Sequence, residues 1–264
     1  MGEDSRAGSA VDVEVRSGVQ LVAERHDIEL TTADGVTLVG ELAVPAGVPA
    51  VAALVCVHPL PTAGGFMDSH ILRKAAARLP ALARIAVLRF NTRGTTSPRG
   101  TSGGSFDGGD AEGLDLAAAV DFAAARGLPT PWLLGWSFGT DVVLRHGLGL
   151  SHGTSRSHGP GQAMAGAVLL SPPLRSTTEA DLRAWGAAGT PLTVLVPEFD
   201  DFLRPAEARL RFAAVPQADL IAVAGAKHLW VGEPSVRRVL TEVVAVVNPA
   251  VLPLPERVPA ALLA

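Results

Sequence analysis

The stretch Pro131-Trp132-Leu133-Leu134-Gly135-Trp136-Ser137-Phe138-Gly139-Thr140-Asp141-Val142-Val143-Leu144 decides how this chain is read. Pro131 to Trp136 is apolar and reads as a buried strand. Thr140 to Leu148 has a helical pattern. Between them lies Gly-x-Ser-x-Gly, which alone is a weak signal in a chain with 28 glycines. A plain glycine-rich turn is the alternative reading. The strand before and the helix after supply the context in which the motif presents a serine at a sharp turn. Strand and helix crowd together there, so the residues two before and two after the serine must be small.

Outward from this turn the pattern repeats. Val51 to Val57, Ile85 to Phe90, Gly166 to Leu170, Leu192 to Val196 and Leu220 to Val223 are apolar strand-like runs. Helical spacing recurs at Ile71-Leu72-Ala75-Leu79 and over Leu114 to Ala125. Val236, Val239, Leu240, Val243, Val244 and Val247 form one apolar stripe, with Pro234 at its start and Pro249 past its end. Ile28 to Leu30 and Val36 to Val39 flank Asp34-Gly35 and predict an antiparallel hairpin. A hairpin followed by strand-helix alternation predicts an α/β fold, with a mostly parallel sheet and helices on both faces. The expected division is an N-terminal extension over 1–24 that holds an extra edge strand, one domain over 25–247, and a proline-rich extended tail over 248–264.

Composition narrows the function classes. The 264 residues suit a single α/β domain, and 48% apolar with 18% charged residues reads as globular. A net charge of −4 without a basic stripe argues against a nucleic-acid partner. No apolar run is long enough to span a bilayer, so no membrane role is expected. Met1 to Arg6 is polar and lacks the pattern of a secretory signal. The single cysteine, Cys56, sits in an apolar run and reads as a small buried hydrophobe. These features together predict a cytoplasmic protein. His152 and His158 lie in the Ser/Gly/His-rich loop Ser151 to Gln162 without a Cys or carboxylate partner, so no metal is expected. No cofactor is expected either.

With Ser137 as candidate nucleophile, the Phe138 N–H at the helix start is one candidate donor to a developing oxyanion. A second should come from the loop after an earlier strand, here His58-Pro59-Leu60-Pro61-Thr62-Ala63-Gly64-Gly65. Proline has no N–H, which leaves Leu60 as the first donor and Thr62 as the alternative. His58 precedes the serine and reads as a support for this loop. The acid and then the base should follow the serine in the chain. Glu198, Asp200 and Asp201 compete for the acid. Spacing from the strand favours Asp200, and Asp201 could instead cap the next helix. His228, after the last strand, is the candidate base. Leu229 and Trp230 beside it are expected to line the substrate pocket, with ordinary packing as the other reading of Trp230.

These motifs together resemble the α/β-hydrolase superfamily, and within it small bacterial hydrolases with a His-Pro-x-Pro-x-x-Gly-Gly loop. The likeness runs over roughly 28 to 247 and includes Met67-Asp68, Leu88-Arg89-Phe90-Asn91-Thr92-Arg93-Gly94 and Gly225-Ala226-Lys227-His228. Pro197 stands where the family pattern has Gly, and Leu60 where it often has His. The resemblance implies a Ser137-Asp200-His228 triad. It also implies that Arg89, Asn91 and Arg93 stabilise the loop beyond their strand. Only 20 residues lie between Leu170 and Pro191, which leaves no room for a lid domain. The expectation is a serine hydrolase cleaving a small carboxylic ester through an acyl-enzyme. Thioesterase or peptidase activity would use the same residues, and a non-catalytic binding protein of this fold is the alternative from another class.

Overall fold

The computed structural model describes residues 12–150 and 164–264. The segment Ser151 to Gln162 therefore lies outside the described residues. Among the described residues twelve strands form: β1 (Asp12–Glu14), β2 (Glu24–Thr31), β3 (Thr37–Val44), β4 (Ala52–Val57), β5 (Ile85–Phe90), β6 (Thr96–Ser97), β7 (Gly100–Thr101), β8 (Pro131–Trp136), β9 (Gly166–Leu170), β10 (Leu192–Phe199), β11 (Ala218–Lys227) and β12 (Arg257–Pro259). The helices are α1 (His70–Ala83), α2 (Glu112–Ala125), α3 (Phe138–His146), α4 (Glu179–Ala188), α5 (Pro205–Arg211) and α6 (Glu233–Val247).

Eight strands make the central sheet in the order β11-β10-β9-β8-β4-β5-β3-β2. β4, β5 and β8 to β11 run parallel, whereas β3 is antiparallel to β5 and β2 to β3. Residue alternation in β4 shows why its sequence is continuously apolar. Ala53, Val55 and Val57 face one core, against α2 and α3. Ala52, Leu54 and Cys56 face the other, against α1 and α6. A strand buried on both faces has no polar side to show. The Cys56 thiol is fully buried there, and desolvation pushes it up to about 12 despite the nearby Arg89. It is an inert packing residue.

The terminal segments differ from expectation. β1 does not extend the central sheet; it pairs antiparallel with β12 of the C-terminal tail. An isolated bridge joins Leu21 to Leu263. Val15, Leu21 and Val258 are buried together beside Ala81 and Leu82 of α1. Neither segment carries enough apolar surface to bury itself alone, so each supplies the other's ladder. Among the described residues no helix is long and apolar enough to cross a membrane.

The strand order reverses between β4 and β8: β5 lies to one side of β4 and β8 to the other. Sheets of this kind place their sites beyond the carboxyl ends of the strands at such a point. The loops after β4, β8, β10 and β11 all open there.

Candidate active site

The turn after β8 is strained. Ser137 has φ +52° and ψ −119°, outside the ordinary regions for a residue with a side chain. Two glycines make the turn feasible. A Cβ at Gly135 would stand 2.5 Å from the Gly139 carbonyl oxygen, and one at Gly139 would stand 2.3 Å from that of Val57. Both obstacles are backbone, which has nowhere to move. The backbone of Ser137 is further tied by its N–H to Leu170 O at 2.9 Å.

The Ser137 hydroxyl donates to His228 Nε2 at 2.9 Å, and His228 Nδ1–H donates to Asp200 Oδ2 at 2.9 Å. The other oxygen of Asp200 accepts from the N–H groups of Phe202 (2.8 Å) and Leu203 (3.2 Å). Burial alone would raise this carboxyl. The bonds from His228 and the two N–H groups outweigh it and hold Asp200 below the usual carboxylate range. An ionised Asp200 acts only as acceptor, which places the imidazole proton on Nδ1 and leaves Nε2 free to accept from the serine. The backbone carbonyl of His228 is fixed as well, by Ser171 Oγ at 3.0 Å and the Trp136 indole N–H at 3.4 Å.

Strand register brings Asp200 and His228 together. β11 is longer than its apolar run suggests, because Gly225, Ala226 and Lys227 remain in the strand. After the pair Pro197↔Val223 a bulge intervenes, and the next pair is Phe199↔Lys227. Asp200 and His228 are the residues that follow on each strand. Asp201 is exposed, and Glu198, also exposed, accepts instead from the Gly225 N–H at 2.8 Å.

The loop after β4 is held by His58. The Thr92 N–H donates to its Nε2 at 3.0 Å, so the ring proton lies on Nδ1, which donates to Pro59 O at 2.6 Å. His58 is fully buried, and desolvation lowers it to about 4, so it stays neutral. The unfolded chain protonates this histidine near its ordinary value of about 6.5. The stability contributed by neutral His58 is therefore fully present above about 6.5 and is lost as pH falls toward about 4. Urea midpoints measured from pH 7 to pH 4 should show a decline in wild type that is shallower in His58→Gln, by up to about 3 kcal/mol at the acid end. Equal slopes would refute the assignment.

Leu60 and Phe138 stand at the starts of their helical turns, and among the described residues neither N–H donates to another group. Both residues line a cleft of about 680 Å³ together with Ser137, His228, Leu229, Phe106 and Phe202. Thr62 lines it too. Leu229 is 55% exposed in this cleft, but Trp230 is not in it. Trp230 is fully buried in the core with α1 and α6, at φ +52°. Consecutive side chains in the turn leave in opposite directions, and the larger, flatter indole takes the core. Its carbonyl accepts from His70 Nε2 at 3.1 Å.

Arg89, Asn91 and Arg93 sit beneath the loops. Arg89 pairs with Glu41 and Asp68, the Asn91 side-chain oxygen accepts from the Met67 N–H at 2.9 Å, and Arg93 pairs with Asp34 and Asp115. Sequence reasoning missed Asp141. It lies one helical turn after Ser137, is buried, and accepts from Thr177 N (2.9 Å) and Thr177 Oγ1 (2.6 Å). The signal was present: an acid in the first turn of an otherwise apolar helix needs partners. Those partners hold the loop between β9 and α4 over the cleft. That loop is eight residues, 171–178, followed directly by α4, and it forms no lid.

No protein-family model matches the chain, and no curated protein matches it. Solved structures do. A lidless α/β serine hydrolase from Xanthomonas campestris is 27% identical, with a TM-score of 0.66, over 84% of this chain and 94% of that one. An α/β serine hydrolase homologue from Coxiella burnetii is 19% identical at TM-score 0.66, over 83% and 95%. An esterase from Pyrococcus furiosus is 21% identical at TM-score 0.61, over 84% and 92%. By its sheet order, its crossovers and these likenesses, the chain has the α/β-hydrolase fold in its lidless form.

Proposed function

We infer that the protein is a serine hydrolase that cleaves small carboxylic esters through an acyl-enzyme. The observation that carries this reading is the unbroken chain from Ser137 Oγ through His228 to Asp200, opening into the cleft. In the first step Ser137 Oγ bonds to the ester carbonyl carbon while its proton passes to His228 Nε2. The carbonyl oxygen becomes an oxyanion, for which the unused Leu60 and Phe138 N–H groups are the donors. His228 then protonates the departing alkoxide as the C–O bond breaks. Water, deprotonated by His228, attacks the acyl-serine. Collapse of the second tetrahedral intermediate releases the acid and returns the proton to Ser137. Asp200 keeps the imidazole in the required tautomer and stabilises the imidazolium formed in each half.

The Xanthomonas and Pyrococcus neighbours, a serine hydrolase and an esterase, support the reaction class. The short loop between β9 and α4 favours small acyl groups, since among the described residues no lid domain covers the cleft. The test is covalent labelling of Ser137 by a fluorophosphonate together with turnover of 4-nitrophenyl acetate and butyrate. Labelling at Ser137 with ester turnover is expected. A folded protein that neither labels nor turns over ester would refute the reading.

A further inference from the structure

Among the described residues, one arginine lining the cleft leaves its hydrogen-bonding capacity unused. Arg175, in the loop between β9 and α4, lines the cleft along with Ser137 and His228. Its guanidinium carbon lies 4.9 Å from the centroid of the Phe202 ring. The same ring meets the His228 imidazole edge-on, with centroids 4.5 Å apart. Phe202 is thus a platform shared by the base and the cation. Stacking holds a guanidinium by its face and leaves the N–H donors at its edge free. Among the described residues the Arg175 guanidinium makes no hydrogen bond or ion pair. The nearby arginines are committed elsewhere, Arg93 to Asp34 and Asp115, and Arg145 to Asp110.

The backbone beneath Arg175 is fixed. Leu174 is buried with φ +49°, and the N–H groups of Arg175, Ser176 and Thr177 all point to the Asp141 carboxylate. A pre-positioned donor costs little ordering when a ligand arrives. Two carboxylates share the cleft. Asp141 has its oxygens occupied by those N–H groups and by the Thr177 hydroxyl. Asp201 is exposed, and no hydrogen bond orients it among the described residues. It weakens the local positive potential without offering a competing fixed site.

We propose that Arg175 recognises a carboxylate carried by the substrate away from the scissile bond, so that the site prefers anionic esters such as dicarboxylic half-esters. The inference rests on the serine-hydrolase reading. A carboxylate matches the planar fork of a guanidinium with two parallel hydrogen bonds. The chain between carboxylate and ester would lie on Leu60, Phe138 and Leu229. Because Arg175 is exposed, the preference should be moderate and should weaken with added salt.

The test compares kcat/KM for 4-nitrophenyl hydrogen adipate and 4-nitrophenyl hexanoate, corrected for spontaneous hydrolysis. A second pair, 3-acetoxybenzoate and phenyl acetate, places the charge on the alcohol side. Arg175→Gln is expected to lower the anionic-to-neutral ratio in at least one pair by about five- to tenfold. The wild-type ratio should fall toward the variant's as salt rises. Arg183→Gln on α4, which removes an exposed arginine paired with Glu179, is the control and should leave the ratios unchanged. Neutral ester turnover with ratios in both pairs insensitive to Arg175→Gln would overturn the proposal and leave the hydrolase reading intact. A binding arm decides the case in which no ester is cleaved. In Ser137→Ala protein, monomethyl adipate should bind more tightly than methyl hexanoate, and Arg175→Gln should remove the difference. Equal binding of the two before the second substitution would overturn the proposal independently of turnover.

Discussion

Replacing Ser137 with alanine is expected to lower kcat on a neutral ester by about 10⁴-fold or more, and His228→Ala by a comparable factor. The double variant should be little worse than either single one. The reason is geometric. The hydroxyl and Nε2 share one hydrogen bond of 2.9 Å, so removing either end removes the same proton transfer. A serine without its base is a poor nucleophile, and a base without its serine has only water to activate. The measurement is single-turnover kinetics on the three variants, with circular dichroism to show that each is folded. Losses that multiply in the double variant would mean that the two residues act in separate steps.

The second large effect concerns the acid. Asp200→Asn should cost about 10⁴-fold in kcat at neutral pH, the scale seen when the carboxylate of such a triad becomes an amide. The amide introduced by this substitution can donate its own N–H to Nδ1 of His228, which would place the imidazole proton on Nε2 and block acceptance from Ser137. Asp201→Asn should change kcat on a neutral ester by less than about fivefold, because Asp201 is an exposed charge that no hydrogen bond orients among the described residues. The reverse ranking would move the acid to Asp201. Asp200 also carries a stability signature. Its carboxyl is held below the ordinary value, so its contribution is fully present above about 3.9 and is lost as pH falls through the lower folded value. Asp200→Asn removes that share at neutral pH.

Much of this molecule was legible in the chain. Continuous apolar runs mark strands covered on both faces, and β4 fulfils this with alternate residues in two different cores. The spacing of Gly135 and Gly139 about Ser137 reports a close approach of backbone that side chains would prevent. The short interval from Leu170 to Pro191 fixes the absence of a lid by length alone. These are local properties, set by periodicity and steric bulk, and they survive translation from sequence to structure.

Other features depended on contacts between distant segments. Sequence offered Glu198, Asp200 and Asp201 as close neighbours, with only spacing to favour Asp200. The bulge between β10 and β11, which sets Phe199 beside Lys227, is what puts Asp200 next to His228 and turns Asp201 to solvent. Trp230 was expected at the pocket beside Leu229, but the turn after β11 sends the two side chains apart and buries the indole. The union of β1 with β12 joins the two ends of the chain, which no window of sequence contains. Arg175 gains its place because Asp141 holds its backbone and Phe202, from another loop, lies beside its guanidinium. The sequence by itself determined the fold class and the sharp turn at Ser137, because periodicity and the need for small residues act within a few positions. The tertiary structure alone decided which carboxylate meets His228, which residues wall the cleft and that Arg175 stands in it, because register and loop packing are set by residues far apart in the chain.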